Sequence, residues 1–168
     1  EVDATIALGN RFKIRPNVAL SRNRNKDFVF QWNGELQELG DTHISFSPDI
    51  IVGNVLTYQP KENVQLSLLT KFVGEQYMGN IDSEGSKLDS YSQTDFNVQY
   101  EINTSGFVKS IVLSGLVNNI FDSLYVSNGY FYTFDDDYSV PGTVTTYEGA
   151  GYYPQAGINF LLGASISF

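Results

Sequence analysis

The chain has 168 residues, of which 42% are apolar and 14% aromatic (11 Tyr and 12 Phe among them), with a net charge of −9 and no cysteine. A charge of that sign argues against nucleic acid as a partner, and the missing thiols remove disulfide frameworks and thiolate metal sites. No run approaches the ~18 apolar residues of a membrane helix, so a membrane reading must rest on strands.

Period-two alternation gives seven expected strands. The first, 2–8, places Val2, Ala4, Ile6 and Leu8 on one face, and Gly9-Asn10 follows as a two-residue turn. The second sets Phe12, Ile14, Val18 and Leu20 against Arg11, Lys13, Arg15 and Asn17, with Pro16 an irregularity on the apolar face. Residues 23–42 are mostly polar, though Phe28 to Trp32 read as an extension of the flanking strands beyond the membrane. The third strand, about 45–58, alternates poorly around Ile50-Ile51-Val52, so its facing stays open. Gln59-Pro60-Lys61-Glu62-Asn63 turns the chain into a fourth strand marked by Val64, Leu66, Leu68 and Phe72.

After a polar stretch, 79–87, the fifth strand (88–102) opposes Phe96, Val98 and Tyr100 to Asp95, Asn97, Gln99 and Glu101. The sixth presents Phe107, Ile111, Leu113 and Val117, and a long Tyr-, Gly- and Asp-rich segment, 122–151, comes next. The seventh strand, 158–168, has an apolar residue at every even position and an aromatic at its end. That pattern fits a strand with one face in hydrocarbon.

The connections alternate short and long. Bacterial outer-membrane barrels have short periplasmic turns and long extracellular loops, so the expected fold is an all-β, antiparallel transmembrane barrel wall with the C-terminus in the periplasm. Seven strands are an odd count for a single-chain barrel, and an open wall leaves two edges unpaired in lipid. The chain is therefore expected to be one piece of a larger barrel. Glu1-Val2-Asp3 has neither the basic nor the apolar region of a signal peptide, so that leader is either removed or the chain begins within a longer protein.

Five segments in order carry a family resemblance: SPDIIVGN (47–54), KFVGEQYMGN (71–80), YSQTDF (91–96), VNNIFDSLY (117–125) and YPQAGINFLLG (153–163). Together they resemble the C-terminal part of the barrel of TonB-dependent outer-membrane receptors, most like those of Bacteroidetes-type bacteria. The resemblance implies a 22-stranded barrel around an N-terminal plug, a TonB-binding segment, and uptake of ferric siderophores, haem, cobalamin or oligosaccharides. Neither plug nor TonB box is visible in this sequence. The implied partners are outer-membrane lipid, the rest of the barrel and its plug, TonB through the absent segment, a surface lipoprotein, and the barrel-assembly machinery, which would read the terminal aromatic strand through Phe160 and Phe168.

The alternation places Arg11, Lys13 and Arg15 on the lumen face, suited to an anionic ligand or to acidic plug residues. Asp95, Asn97, Gln99 and Glu101 face the same way; an ordinary wet or plug-paired lumen, polar by default, is the favoured reading of both sets over a ligand site. Asp135, Asp136 and Asp137, with Asp122 and Glu148, give the last long segment −5 and no basic residue. The EF-hand spacing is missing, so this reads as a solvated acidic loop rather than a metal site. Tyr130 and Tyr132 lie in the same loop, as belt, packing or ligand-stacking residues. His43, the only histidine, has Asp41 two residues away, but no nucleophile is singled out, so neither catalysis nor a cofactor is expected. Two other architectures remain: a small complete eight-stranded outer-membrane barrel with a structural or adhesion role, and a soluble lipocalin-like barrel. Facing separates them, since Ile6, Phe12, Leu66, Leu68, Val98, Leu113, Leu162 and Ile166 point outward in a membrane wall and inward in a soluble one.

Overall fold

The computed structural model describes residues 1–168 as an all-β chain with antiparallel pairing throughout. Its strands are β1 (Val2–Asp3), β2 (Ile6–Leu8), β3 (Phe12–Leu20), β4 (Arg24–Trp32), β5 (Glu35–His43), β6 (Ile50–Lys61) and β7 (Val64–Val73). They continue with β8 (Gln76–Tyr77), β9 (Lys87–Leu88), β10 (Tyr91–Asn103), β11 (Ser110–Asn118), β12 (Val126–Asp136), β13 (Thr145–Pro154) and β14 (Asn159–Ser167), and one 3-10 turn lies at Glu84–Ser86. The main sheet runs β1/β2, β3, β6, β7, β10, β11, β14, each pairing with its predecessor along the wall. The two edges, β1/β2 and β14, do not pair with each other, so this sheet is open.

All seven expected strands are wall strands, with shifted ends. The first is split at Ala4 and Thr5, which lie opposite Pro16 and Arg15; Pro16 has no N–H to give the ladder, and only Ala4 N–H reaches Pro16 O, at 3.1 Å. The turn after Leu8 holds three residues rather than two, because Leu8 pairs with Phe12, so Arg11 belongs to the turn and not to the strand. The third strand starts at Ile50, not 45. Upstream, Phe46 takes a left-handed φ of 53°, and its N–H bonds Tyr77 O at 2.8 Å, drawing this stretch toward β8. Lys87 and Leu88 pair with Tyr77 and Gln76, so the fifth strand begins at Tyr91, and residues 104–109 turn the chain before Ser110.

Register fixes the faces, because cross-strand partners project to the same side. One continuous row is Phe12, Tyr58, Leu66, Val98, Gly115 and Leu162. Ile6 pairs with Ile14, Leu68 with Phe96, Tyr100 with Leu113, and Ile111 with Ile166. The eight residues named above as the facing test therefore share one apolar face. It is crossed by one polar row, Asn54, Thr70 and Thr94; the two threonine hydroxyls lie 3.1 Å apart, and Asn54 Oδ1 is buried without a partner. The opposite face carries Arg15, Lys71, Gln93, Asp95, Asn97, Gln99 and Glu101.

The long connections are not plain loops. Three hairpins stand on the end of the wall away from the short turns: β4–β5, β8–β9 with its 3-10 turn, and β12–β13. They pack on one another, and the buried apolar side chains of the molecule, Val73, Met78, Ile81 and Leu88, gather at or near them. Every residue of β14 is exposed, Leu162 by 83%. The total accessible surface is 11074 Å², against roughly 8,300 Å² for a compact soluble monomer of this mass.

Candidate functional site

The polar face of the wall is hollow. Asp3, Arg15, Asn17, Lys71, Gln93 and Asp95, from four strands, line a concavity of about 460 Å³. Arg15 and Asp95 occupy one cross-strand row, joined through Val55 and Leu69. None of Arg11, Lys13, Arg15 or Lys71 has a carboxylate within 4.0 Å. Lys13 pairs with Thr57 further toward the short turns, and Arg11 lies beyond it in the turn, so the three expected cations follow one line and only Arg15 reaches the hollow. Asn97 and Gln99 sit on the same face beside Ser67 and Gln65, and Glu101 lies near the turn end, its N–H bonded to Asn63 O.

At the other end of this face Asp95 is committed to structure. It accepts hydrogen bonds from Gln93 Nε2 (2.9 Å) and from the N–H of Asn119 (2.8 Å). Asn119 is 1% exposed and left-handed, with φ 51°. Its Nδ2 donates to Ser123 O and Ala156 O, and its Oδ1 accepts from Ser123 N–H. Asp122 Oδ1 accepts from Ile158 N–H at 2.8 Å. The segment 117–125 is thus a clamp that ties the exit of β11 to the entry of β14. Tyr125 extends it by stacking on Tyr91 (centroids 4.4 Å) and donating to Gln93 Oε1, and burial pushes its phenol pKa up.

The hairpin cluster is joined mainly by side-chain to backbone hydrogen bonds. Asn33, at the tip of β4–β5, donates its N–H to Thr146 Oγ1 (2.7 Å), and Thr146 N–H donates to Asn33 Oδ1 (2.8 Å). Thr146 Oγ1 and Gln31 Nε2 both donate to Asp135. Asp136 accepts from the N–H groups of Tyr138 and Ser139, and the Ser139 donors hold its carboxyl below the usual range. Two of the three consecutive aspartates are therefore a hairpin brace and a turn cap, and no His, Asp or Glu cluster has the geometry of a metal site. Tyr130 and Tyr132 are half exposed on one face of β12–β13, stacked at 6.3 Å. Their rings lie over the cross-strand partners Gly151 and Gly149, where a Cβ would collide with them.

His43 does not work with Asp41, which pairs instead with Lys26. The imidazole Nδ1 lies 2.9 Å from Asp82 Oδ2, and His43 N–H donates to Asp82 Oδ1. This joins β5 to the segment before the 3-10 turn. Arg24 meets Asp49 in a two-pronged pair (2.9 and 2.7 Å) where β3 hands over to β4, and the guanidinium holds the Asp49 carboxyl below its ordinary range. Phe160 is exposed and pairs with Val117, and Phe168 packs on Phe107 at 5.1 Å. Compared with known proteins, the chain matches no family model, no curated protein and no solved structure.

Proposed function

We propose that the chain is part of the wall of a bacterial outer-membrane barrel, of the kind found in the C-terminal portion of TonB-dependent nutrient receptors. One observation carries this reading: across seven strands the register gathers apolar side chains on one face, crossed by a single polar row, while Lys13, Arg15, Lys71, Asp95 and Glu101 lie on the opposite, hollow face, interleaved there with Ile51, Val55, Leu69, Val112, Leu116 and Leu161. The strand lengths support it, because β3, β6, β7, β10, β11 and β14 have 9 to 13 residues and a tilted strand needs ~9–11 to cross a bilayer. Apolar rings near the short turns, with Phe12 stacked on Tyr58 at 4.3 Å, fit an aromatic girdle. A lipocalin-like barrel needs the apolar residues on the hollow side. A small closed barrel needs β1/β2 paired with β14.

In this reading lipid covers the apolar face, and further strands of a 22-stranded barrel cover both edges. The hairpins cover the outer vestibule, where a surface lipoprotein would dock, and the C-terminus lies in the periplasm. Phe160 and Phe168 serve the assembly machinery. Arg11, Lys13 and Arg15 line the lumen toward a plug or an anionic nutrient, and transport depends on TonB acting through that plug.

The absence of cysteine allows a clean test. Single cysteines at Leu66, Leu113 and Ile166 should carry probes quenched by brominated lipid, and cysteines at Gln65, Asn97 and Gln99 should react with a water-soluble maleimide. Equal reactivity on both faces in reconstituted membranes overturns the reading. With the facing upheld, replacing Arg11, Lys13 and Arg15 together by Ala should lower uptake of an anionic nutrient at matched surface levels.

A further inference from the structure

We propose that a pocket among the three hairpins binds a small organic cation, an ammonium or guanidinium group. The proposal goes beyond the wall reading and does not depend on it. The pocket holds about 280 Å³, at the small end of ligand sites. The buried side chains of Thr42 and Ile81 form its floor. Phe30 and Trp32 from β4 supply two rings, with centroids 6.3 Å apart and planes tilted by 47°. Asp82 and Glu148, both exposed, stand at its rim from two other elements.

The chemistry follows from what lines the cavity. Phe30 and Trp32 line the cavity, and a cation seated over an aromatic face is attracted by its quadrupole, by about 0.5–2 kcal/mol depending on desolvation. Two carboxylates add charge; Asp82 has His43 behind it, whereas Glu148 has no Lys, Arg or His within 4.0 Å and none lines the pocket. Glu148 is held by the Ser83 hydroxyl through Oε2 (2.7 Å), which leaves Oε1 uncommitted. Asp82 is oriented from behind by His43, so its position is fixed before any ligand arrives. A neutral apolar ligand would use the rings but leave Glu148 Oε1 without a partner, and an anion would meet repulsion.

Trp32 is the only tryptophan in the chain, so its fluorescence reports the pocket directly. Choline should change the emission saturably, and its neutral isostere 3,3-dimethylbutan-1-ol should bind about tenfold more weakly, the scale of one cation–π contact with its charge partner. Glu148→Gln keeps an acceptor for Ser83 and should weaken choline several-fold while leaving the isostere unchanged. Equal affinity for choline and the isostere overturns the proposal and leaves an apolar cup. So does a choline response that Glu148→Gln does not alter, or no saturable response in wild-type protein whose hairpins are intact by circular dichroism. The isostere comparison needs no variant, so a folding defect in Glu148→Gln leaves the proposal testable.

Discussion

The wall and the hairpin cluster are built from the same antiparallel pairing but stabilised differently. In the wall, rows such as Phe12, Tyr58, Leu66 and Val98 have backbone partners on both sides, yet no second layer covers them. In the proposed wall their burial comes from lipid, at ~25 cal/mol per Å² of apolar surface. In the cluster, three hairpins packed on one another bury Met78, Ile81 and Leu88 and satisfy Asn33, Thr146 and Asp135 against one another. That is how a water-exposed domain is held. Sheet architecture alone therefore says little about the solvent a strand has evolved for; the second layer, or its absence, says much more.

The comparison breaks most directly at Leu88, which is 2% exposed. Leu88→Ala should cost about 2–5 kcal/mol, the range for deleting a buried Leu. Hydrogen exchange should show the loss in β8, β9 and β12, with β11 and β14 unaffected. Equal loss of protection in β14 would mean that cluster and wall unfold as one unit.

A nearly equal effect is expected in the wall, with opposite dependence on medium. Leu113→Arg places a charge on the apolar face and should cost about 2–4 kcal/mol in a bilayer, whereas Gln99→Arg, on the hollow face, should cost under ~1 kcal/mol. The measurement is equilibrium unfolding from vesicles. If the two substitutions cost the same, the facing argument fails.

Asn119 belongs to the boundary between the two regions. Asn119→Ala removes the bonds to Ser123 and Ala156 and puts a less tolerant residue at a left-handed φ. Stranding these part-buried groups should cost about 1–3 kcal/mol, toward the lower end because Ala156 is exposed. Proteolysis should then open residues 119–125 and 155–158 before any wall strand; unchanged cleavage there would show that water replaces the amide at no cost.

Residues with a strict two-residue period were readable without coordinates: Phe96, Val98 and Tyr100 against Asp95, Asn97 and Gln99 lie on the faces their parity assigns. The hairpins were less legible, since β4–β5 and β12–β13 pack against other loops and so lack a clean alternation. One signal was present, though. Asn33-Gly34, both with positive φ, is the strongest short-range hairpin turn, and it separates two apolar-bearing segments. The His43–Asp82 and Thr146–Asn33 bonds span 39 and 113 residues, so no local pattern could have announced them. The residues of 117–125 drew attention through family resemblance, but their physical role as a clamp emerges only from the hydrogen bonds.

The smallest expected effect lies at the junction of wall and cluster, and it is a pH effect. The Arg24 guanidinium depresses the Asp49 carboxyl, so the folded pKa lies below the unfolded one. A depressed acid contributes stability above its unfolded pKa, near ~4, and loses it as pH falls through the folded value. Asp49 is half exposed, its side chain at 49% against 14% for Arg24, so screening should hold the contribution to about 0–1 kcal/mol. Exchange of the Ser21 amide, which bonds Asp49 O at 3.0 Å, should therefore quicken relative to intrinsic rates below about pH 4. Asp49→Asn should abolish the pH dependence, and high salt should shrink it. If the step survives in Asp49→Asn, the acid-sensitive group lies elsewhere, and the Arg24 pair joins the surface ion pairs that contribute nothing measurable.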